Sequence, residues 1–138
     1  MRRILLYILV GLCVTGGFSC KKVIDRQKEN LVMSLMTNGR WYLETITENG
    51  FDITYQFSGY EFQFYENGKL DAFRGASVQS GTWTGDLNNL TFNSTFPASS
   101  YPLEKLNQVW KIKDYYIDLV FAETSAPGGL ITIRFRKK

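Results

Sequence analysis

The carboxylates are the residues of this chain whose types and spacing come nearest to chemistry. Glu61 and Glu66 fall on one expected hairpin, and Asp114 and Asp118 on another. Two acids a few ångströms apart suffice for acid–base work on a glycosidic bond and need no histidine. Strand parity argues against that use here. Glu61 and Asp118 stand on the faces opposite the apolar sets of their strands, so a solvated surface is the expectation and no enzymatic activity is expected. The chain has no His, which removes the commonest general base and the commonest metal ligand. Its two Cys, Cys13 and Cys20, both lie in the N-terminal segment. The remainder can form no disulfide, thiolate metal site or Cys nucleophile. No P-loop, Gly-x-Gly-x-x-Gly or Gly-x-Ser-x-Gly occurs, and neither metal nor cofactor is expected. Asn93-Ser94-Thr95 matches a glycosylation acceptor, a match read as accidental.

Composition points toward a sheet. With 138 residues the chain is long enough for one domain. Ten Phe, eight Tyr and three Trp suit a pleated, half-buried surface better than a helical bundle. The formal charge is +3, and without Arg2 and Arg3 it is 14 basic against 13 acidic residues. So balanced a domain has no long-range field to draw in nucleic acid, and no nucleic-acid partner is expected.

The first residues carry an address. Met1-Arg2-Arg3 is a positive n-region, Ile4 to Val14 an apolar run too short to span a bilayer, and Thr15 to Cys20 a small-residue processing site. Residues 1–19 are therefore expected to be a signal peptide. Cys20 resembles the lipidated Cys of a bacterial lipobox. Ser19 fits the small residue before it, although Gly17 stands where Leu is usual. The resemblance implies a membrane partner through the lipid anchor, with residues 20–29 as lipidated Cys and tether. It also implies a place in the bacterial cell envelope, at the outer membrane.

Residues 30–138 are expected to form the domain. Asp25 is a candidate cap for a helix reaching Met36, with Leu31, Val32, Leu35 and Met36 on one stripe. The stripe reads as a plug for a barrel end. Thr37-Asn38-Gly39 ends it. Strands are expected at 41–48, 51–57, 60–65, 70–74, 78–85, 90–94, 104–113, 115–121 and 130–136. Asn49-Gly50 and Asn67-Gly68 are hairpin signals, Asp114 is a turn, and Ala122 to Gly129 a loop. Asn93 to Leu103 is the longest irregular stretch, a lid or a crossing loop. Alternation places Phe51, Ile53, Tyr55 and Phe57 on one face. It does the same for Leu106, Gln108, Trp110 and Ile112, for Tyr115, Ile117, Leu119 and Phe121, and for Ile131, Ile133 and Phe135. Short turns between so many strands predict an all-β, eight- or nine-stranded antiparallel up-and-down barrel behind a short N-terminal helix. Closure disposes of its edges.

Gly39-Arg40-Trp41 after a helix, the meander, and a basic residue on the last strand resemble the lipocalin and calycin group. The likeness is greatest to lipocalin-like domains of bacterial lipoproteins. The resemblance implies that Trp41 points into the closed end of the barrel and that Arg134 or Arg136 packs over it. If Ile131, Ile133 and Phe135 face inward, both Arg face outward. The strand end then twists, or the contact is absent. Two functions follow. One is a barrel holding a small apolar or amphipathic ligand, with Leu43, Tyr55, Phe62, Phe64, Phe92, Trp110 and Leu119 lining it. The other is a barrel filled by its own aromatics, whose surface docks an envelope protein.

Overall fold

The computed structural model describes residues 33–86, 88–98 and 100–138. The signal segment, Cys20, the tether, Asp25, Leu31 and Val32 lie outside the described residues. Among the described residues nine strands follow one another: β1 (Trp41–Glu48), β2 (Phe51–Asp52), β3 (Tyr60–Phe64), β4 (Lys69–Arg74), β5 (Ser77–Asp86), β6 (Thr91–Thr95), β7 (Val109–Tyr116), β8 (Leu119–Ala126) and β9 (Gly129–Lys137). Neighbours pair antiparallel in chain order, except that β2 is a flap on β1 and β3 takes the next place. The ladder from Trp41–Lys137 to Glu48–Ile131 joins β1 to β9 and closes eight strands into a barrel. The hairpin signals act as expected. Asn49 and Gly50 both take positive φ, 53° and 82°, the primed turn whose twist matches the strands it joins.

Each end of the barrel is stopped by a piece of chain. At the end where β1 begins, residues 33–37 are helical. They send Met36 into the core, with Met33 and Leu35 packed against it, so the described half of the stripe, Leu35 and Met36, packs as the expected plug. At the opposite end the segment between β6 and β7 folds inward, burying Phe96, Leu103 and Leu106. A reciprocal pair locks it: Phe96 N–H donates to Asn107 Oδ1 (2.6 Å), and Asn107 Nδ2 donates to the Phe96 carbonyl (2.9 Å). Ser94 Oγ donates to the Leu106 carbonyl. Gly81 on β5 makes the room, since a Cβ there would fall on the Thr95 carbonyl and the Phe96 ring. The described part of the irregular stretch thus covers this end of the barrel and is more than a simple crossing.

Four expectations about strands need correction. Residues 51–57 are not one strand. Only Phe51–Asp52 pairs, and Thr54–Phe57 is a 3-10 turn. The turn starts because Thr54 N–H donates to Asp52 Oδ1 (2.8 Å), while Thr54 Oγ accepts from Ile46 N–H. Local side-chain bonds of this kind compete with a ladder. Residues 104–108 are not the start of the next strand, because Leu103–Leu106 is a second 3-10 turn whose two Leu share a face at its threefold spacing. Asp114 is not a turn. The β7–β8 ladder shifts register between Ile112 and Asp114, a bulge that reverses the parity beyond it, and the chain turns at residues 117–118. Ala122 to Gly129 is strand as far as Ala126.

Candidate functional site

Inside the barrel the expected lining exists, but as packing. Leu43, Phe62, Phe64, Phe92 and Trp110 all belong to the buried core. Their rings meet edge-on or stacked: Phe62 on Phe135 at 5.5 Å, Phe64 on Trp83 at 5.3 Å, and Phe92 on Trp110 at 6.4 Å. Trp110 Nε1 donates to the Leu106 carbonyl (3.1 Å) and Trp83 Nε1 to the Tyr65 carbonyl (2.8 Å). These polar edges are spent on the backbone, as buried Trp requires. Two expected lining residues are elsewhere. Tyr55 is 75% exposed because the 3-10 turn swings it out. Leu119 is buried but outside the core cluster; it pairs with outward-facing Arg136, while its neighbours Val120 and Ala122 point inward. The expected series 115–121 ran through the turn at residues 117–118, and a parity carried across a turn shifts by one residue.

The closed end has the predicted Trp and a different cation. Trp41 is fully buried, and its Nε1 donates to the Met36 carbonyl (3.0 Å). Arg134 is exposed and does not pack over it. Arg136 faces outward too, bound to Glu44 through Nε and Nη2 (3.1 and 3.0 Å) and to Asp118 (3.1 Å). The ammonium of Lys137 takes the place over the indole, 5.5 Å from its centroid. Trp41 and Lys137 are cross-strand partners, so both lie on the inward parity. The signal was in the sequence, because Lys137 continues the series Ile131, Ile133, Phe135.

The candidate carboxylates are on the outer face. Glu61 is paired with Arg40 and Lys138, and Asp118 with Arg136; Glu66 and Asp114 are exposed. The hydrogen bond from Lys138, then that from Arg40, holds the Glu61 carboxyl below its usual range. Sequence reasoning missed the most buried acid, Asp71 on β4. It sits under Lys69 Nζ (2.9 Å) and accepts from Ser80 Oγ (2.6 Å). Burial opposes its ionisation, but the bonds from Ser80 and Lys69 outweigh burial and lower its pKa.

A pH prediction follows. A carboxyl with a depressed folded pKa releases its proton more readily folded than unfolded. Its stabilisation is present above the unfolded range, near pH 4, and is lost as pH falls through the folded value. Urea unfolding between pH 7 and pH 2 should therefore show stability falling on the acid side. Asp71→Asn is expected to flatten that fall. An unchanged slope would show that Asp71 contributes nothing to it.

Two of the grooves on the described outer surface carry exposed aromatic side chains. β1 and β3 share one bridge, Trp41 opposite Phe62, and then diverge around the 3-10 turn. The wedge between them is a groove of about 470 Å³ lined by Tyr42, Leu43, Tyr55, Phe57, Tyr60 and Glu61. A second groove, of about 340 Å³, lies between the N-terminal helix and the β7–β8 turn, against Leu35, Tyr115, Tyr116, Ile117 and Lys137. Among the described residues no three His, Cys, Asp or Glu cluster to hold a metal ion, and no helix is long and apolar enough to cross a membrane.

Fold and site together define a class: a closed eight-stranded up-and-down barrel, plugged at both ends and packed with aromatic side chains. Neither a protein-family model nor a curated protein matches the chain. Among solved structures it is similar to the 1.00 Å crystal structure of a DUF4847 family protein from Bacteroides vulgatus ATCC 8482. The TM-score is 0.58 at 17% identity, over 78% of this chain and 97% of that one. At such identity the likeness is one of fold.

Proposed function

We propose that this protein is a lipid-anchored envelope protein whose lipocalin-like barrel works through its surface, as a docking module for another envelope protein. The observation that carries this reading is the filled interior. Trp41, Phe62 and Trp110 are fully buried and Phe64 nearly so; Phe62 and Phe64 both meet the Phe135 ring and Trp110 meets Phe92, between two plugs. A carrier needs an apolar cavity of some hundreds of cubic ångströms, and these side chains occupy the axis where one would lie. The signal segment and Cys20 support export and acylation. A small amphipathic ligand is the second reading, favoured by the size and mixed lining of the β1–β3 groove. That would place the ligand on the side of the barrel.

Native mass spectrometry of the protein extracted gently from its own host separates the two. The expected result is the mass of the polypeptide with its acyl groups and no other adduct. A photo-crosslinker at Tyr55 should then give a discrete protein adduct in cells, which one at exposed Val78 does not. A reproducible small-molecule adduct, lost on denaturation, would overturn the docking reading in favour of the carrier.

A further inference from the structure

The β7–β8 turn carries three consecutive large residues in the open. Tyr115 is 38%, Tyr116 58% and Ile117 82% exposed. Single exposed apolar residues are ordinary, but a contiguous patch marks a contact surface. This patch continues across the second groove to Leu35 on the N-terminal helix, with Lys137 on its border. Tyrosines beside an aliphatic tip form the mixture that settles at the boundary between lipid headgroups and acyl chains.

Its position says what covers it. Residues 33–37 form one wall, so the chain from Cys20 reaches the barrel at this end. Residues 21–32 reach at most about 40 Å when extended. Such a tether limits the distance from the bilayer and leaves the orientation free. We infer that the apolar patch supplies the orientation. Tyr115, Tyr116 and Ile117 seat this end of the barrel on the lipid surface, and the opposite end and the β1–β3 groove stay free for a partner. The inference rests on the anchor at Cys20, whose acyl groups hold the chain at the bilayer without orienting the barrel.

The chain from Cys20 onward contains the entire core, whose residues run from Met36 to Phe135, and Cys20 is its only Cys. It can therefore be coupled through that thiol to a maleimide lipid in vesicles of phosphatidylethanolamine and phosphatidylglycerol. Hydrogen exchange is then compared with the same chain coupled to a soluble maleimide. At residues 115–117 the vesicle-bound chain should exchange at least about threefold more slowly, with no change in the 100–106 segment at the other end. The pair Tyr116→Ser and Ile117→Asp should abolish the difference. Equal exchange at 115–117, or slowing at 100–106 instead, overturns the inference. So does slowing in the soluble control that grows with protein concentration, which would mark a second copy as the occupant. The coupling is chemical, so none of these outcomes depends on acylation in the cell. An unmodified Cys20 in protein from the host would overturn the anchor and leave the vesicle result standing.

Discussion

Trp41→Ala is expected to cost about 3–5 kcal/mol of folding stability, the range for emptying a large buried aromatic site. For a barrel of this size that is a fall in Tm of about 15 °C or more. Three losses coincide. The indole is fully buried, so its removal leaves a void at the barrel end. Its Nε1–H no longer satisfies the Met36 carbonyl, which frees the helical plug. Lys137 loses the ring face beneath its ammonium. Trp41→Phe separates these contributions. It keeps most of the burial and loses the hydrogen bond, so it should cost about 1–2 kcal/mol while exposing residues 33–37 to faster hydrogen exchange. Thermal unfolding of both variants checks the size, and exchange checks the plug. A cost below about 1 kcal/mol for Trp41→Ala would mean that the indole does not hold the end closed.

Where local pattern and tertiary outcome agree, the fold was legible. β3 and β9 alternate cleanly, β1 does so up to the bulge between Leu43 and Thr45, and the two Asn-Gly turns set their neighbours in register. Leu35, Met36 and Trp41 were legible because burial anchors them. Illegible parts have specific causes. Phe51, Ile53, Tyr55 and Phe57 alternate like a strand, yet the Asp52–Thr54 bond starts a tight turn. The Asp-x-Thr spacing was the available clue. Leu106, Gln108, Trp110 and Ile112 also alternate, but Leu103 and Leu106 are three apart and follow Pro102, a spacing that suits the 3-10 turn. The bulge between Ile112 and Asp114 leaves no signature in composition. It puts Tyr115 opposite inward-facing Val120 and Tyr116 opposite Leu119. The turn at residues 117–118 then carries Ile117 outward and resets the parity, so Val120 points inward in place of Leu119. The cation over Trp41 was misassigned for a simpler reason. An Arg was sought, although inward parity at the end of β9 belongs to Lys137. As for the site, the inward aromatics were legible as a set, but whether they line a cavity or fill it depends on packing that alternation does not record.

Phe64→Ala tests that last distinction directly. The Phe64 ring makes edge contacts with Trp83 at 5.3 Å, Phe135 at 5.8 Å and Phe92 at 6.2 Å, so one side chain of β3 ties together β5, β6 and β9 across the barrel. Its removal is expected to cost about 3–5 kcal/mol, with an added share for lost ring–ring geometry. Phe64→Leu, which keeps most of the volume, is expected to cost about 1–2 kcal/mol and to remain folded if the alanine variant does not. The decisive measurement is thermal unfolding with and without benzene. An apolar void too dry for water takes up such a probe, and binding to the folded state alone raises Tm. A barrel filled by its own aromatics should gain nothing from benzene as the natural protein, and should gain stability only after Phe64 is cut back to Ala. If the natural protein is stabilised as much as the variant, the barrel already holds a usable cavity. The filled interior would then no longer support docking at the surface, and the carrier reading would take its place.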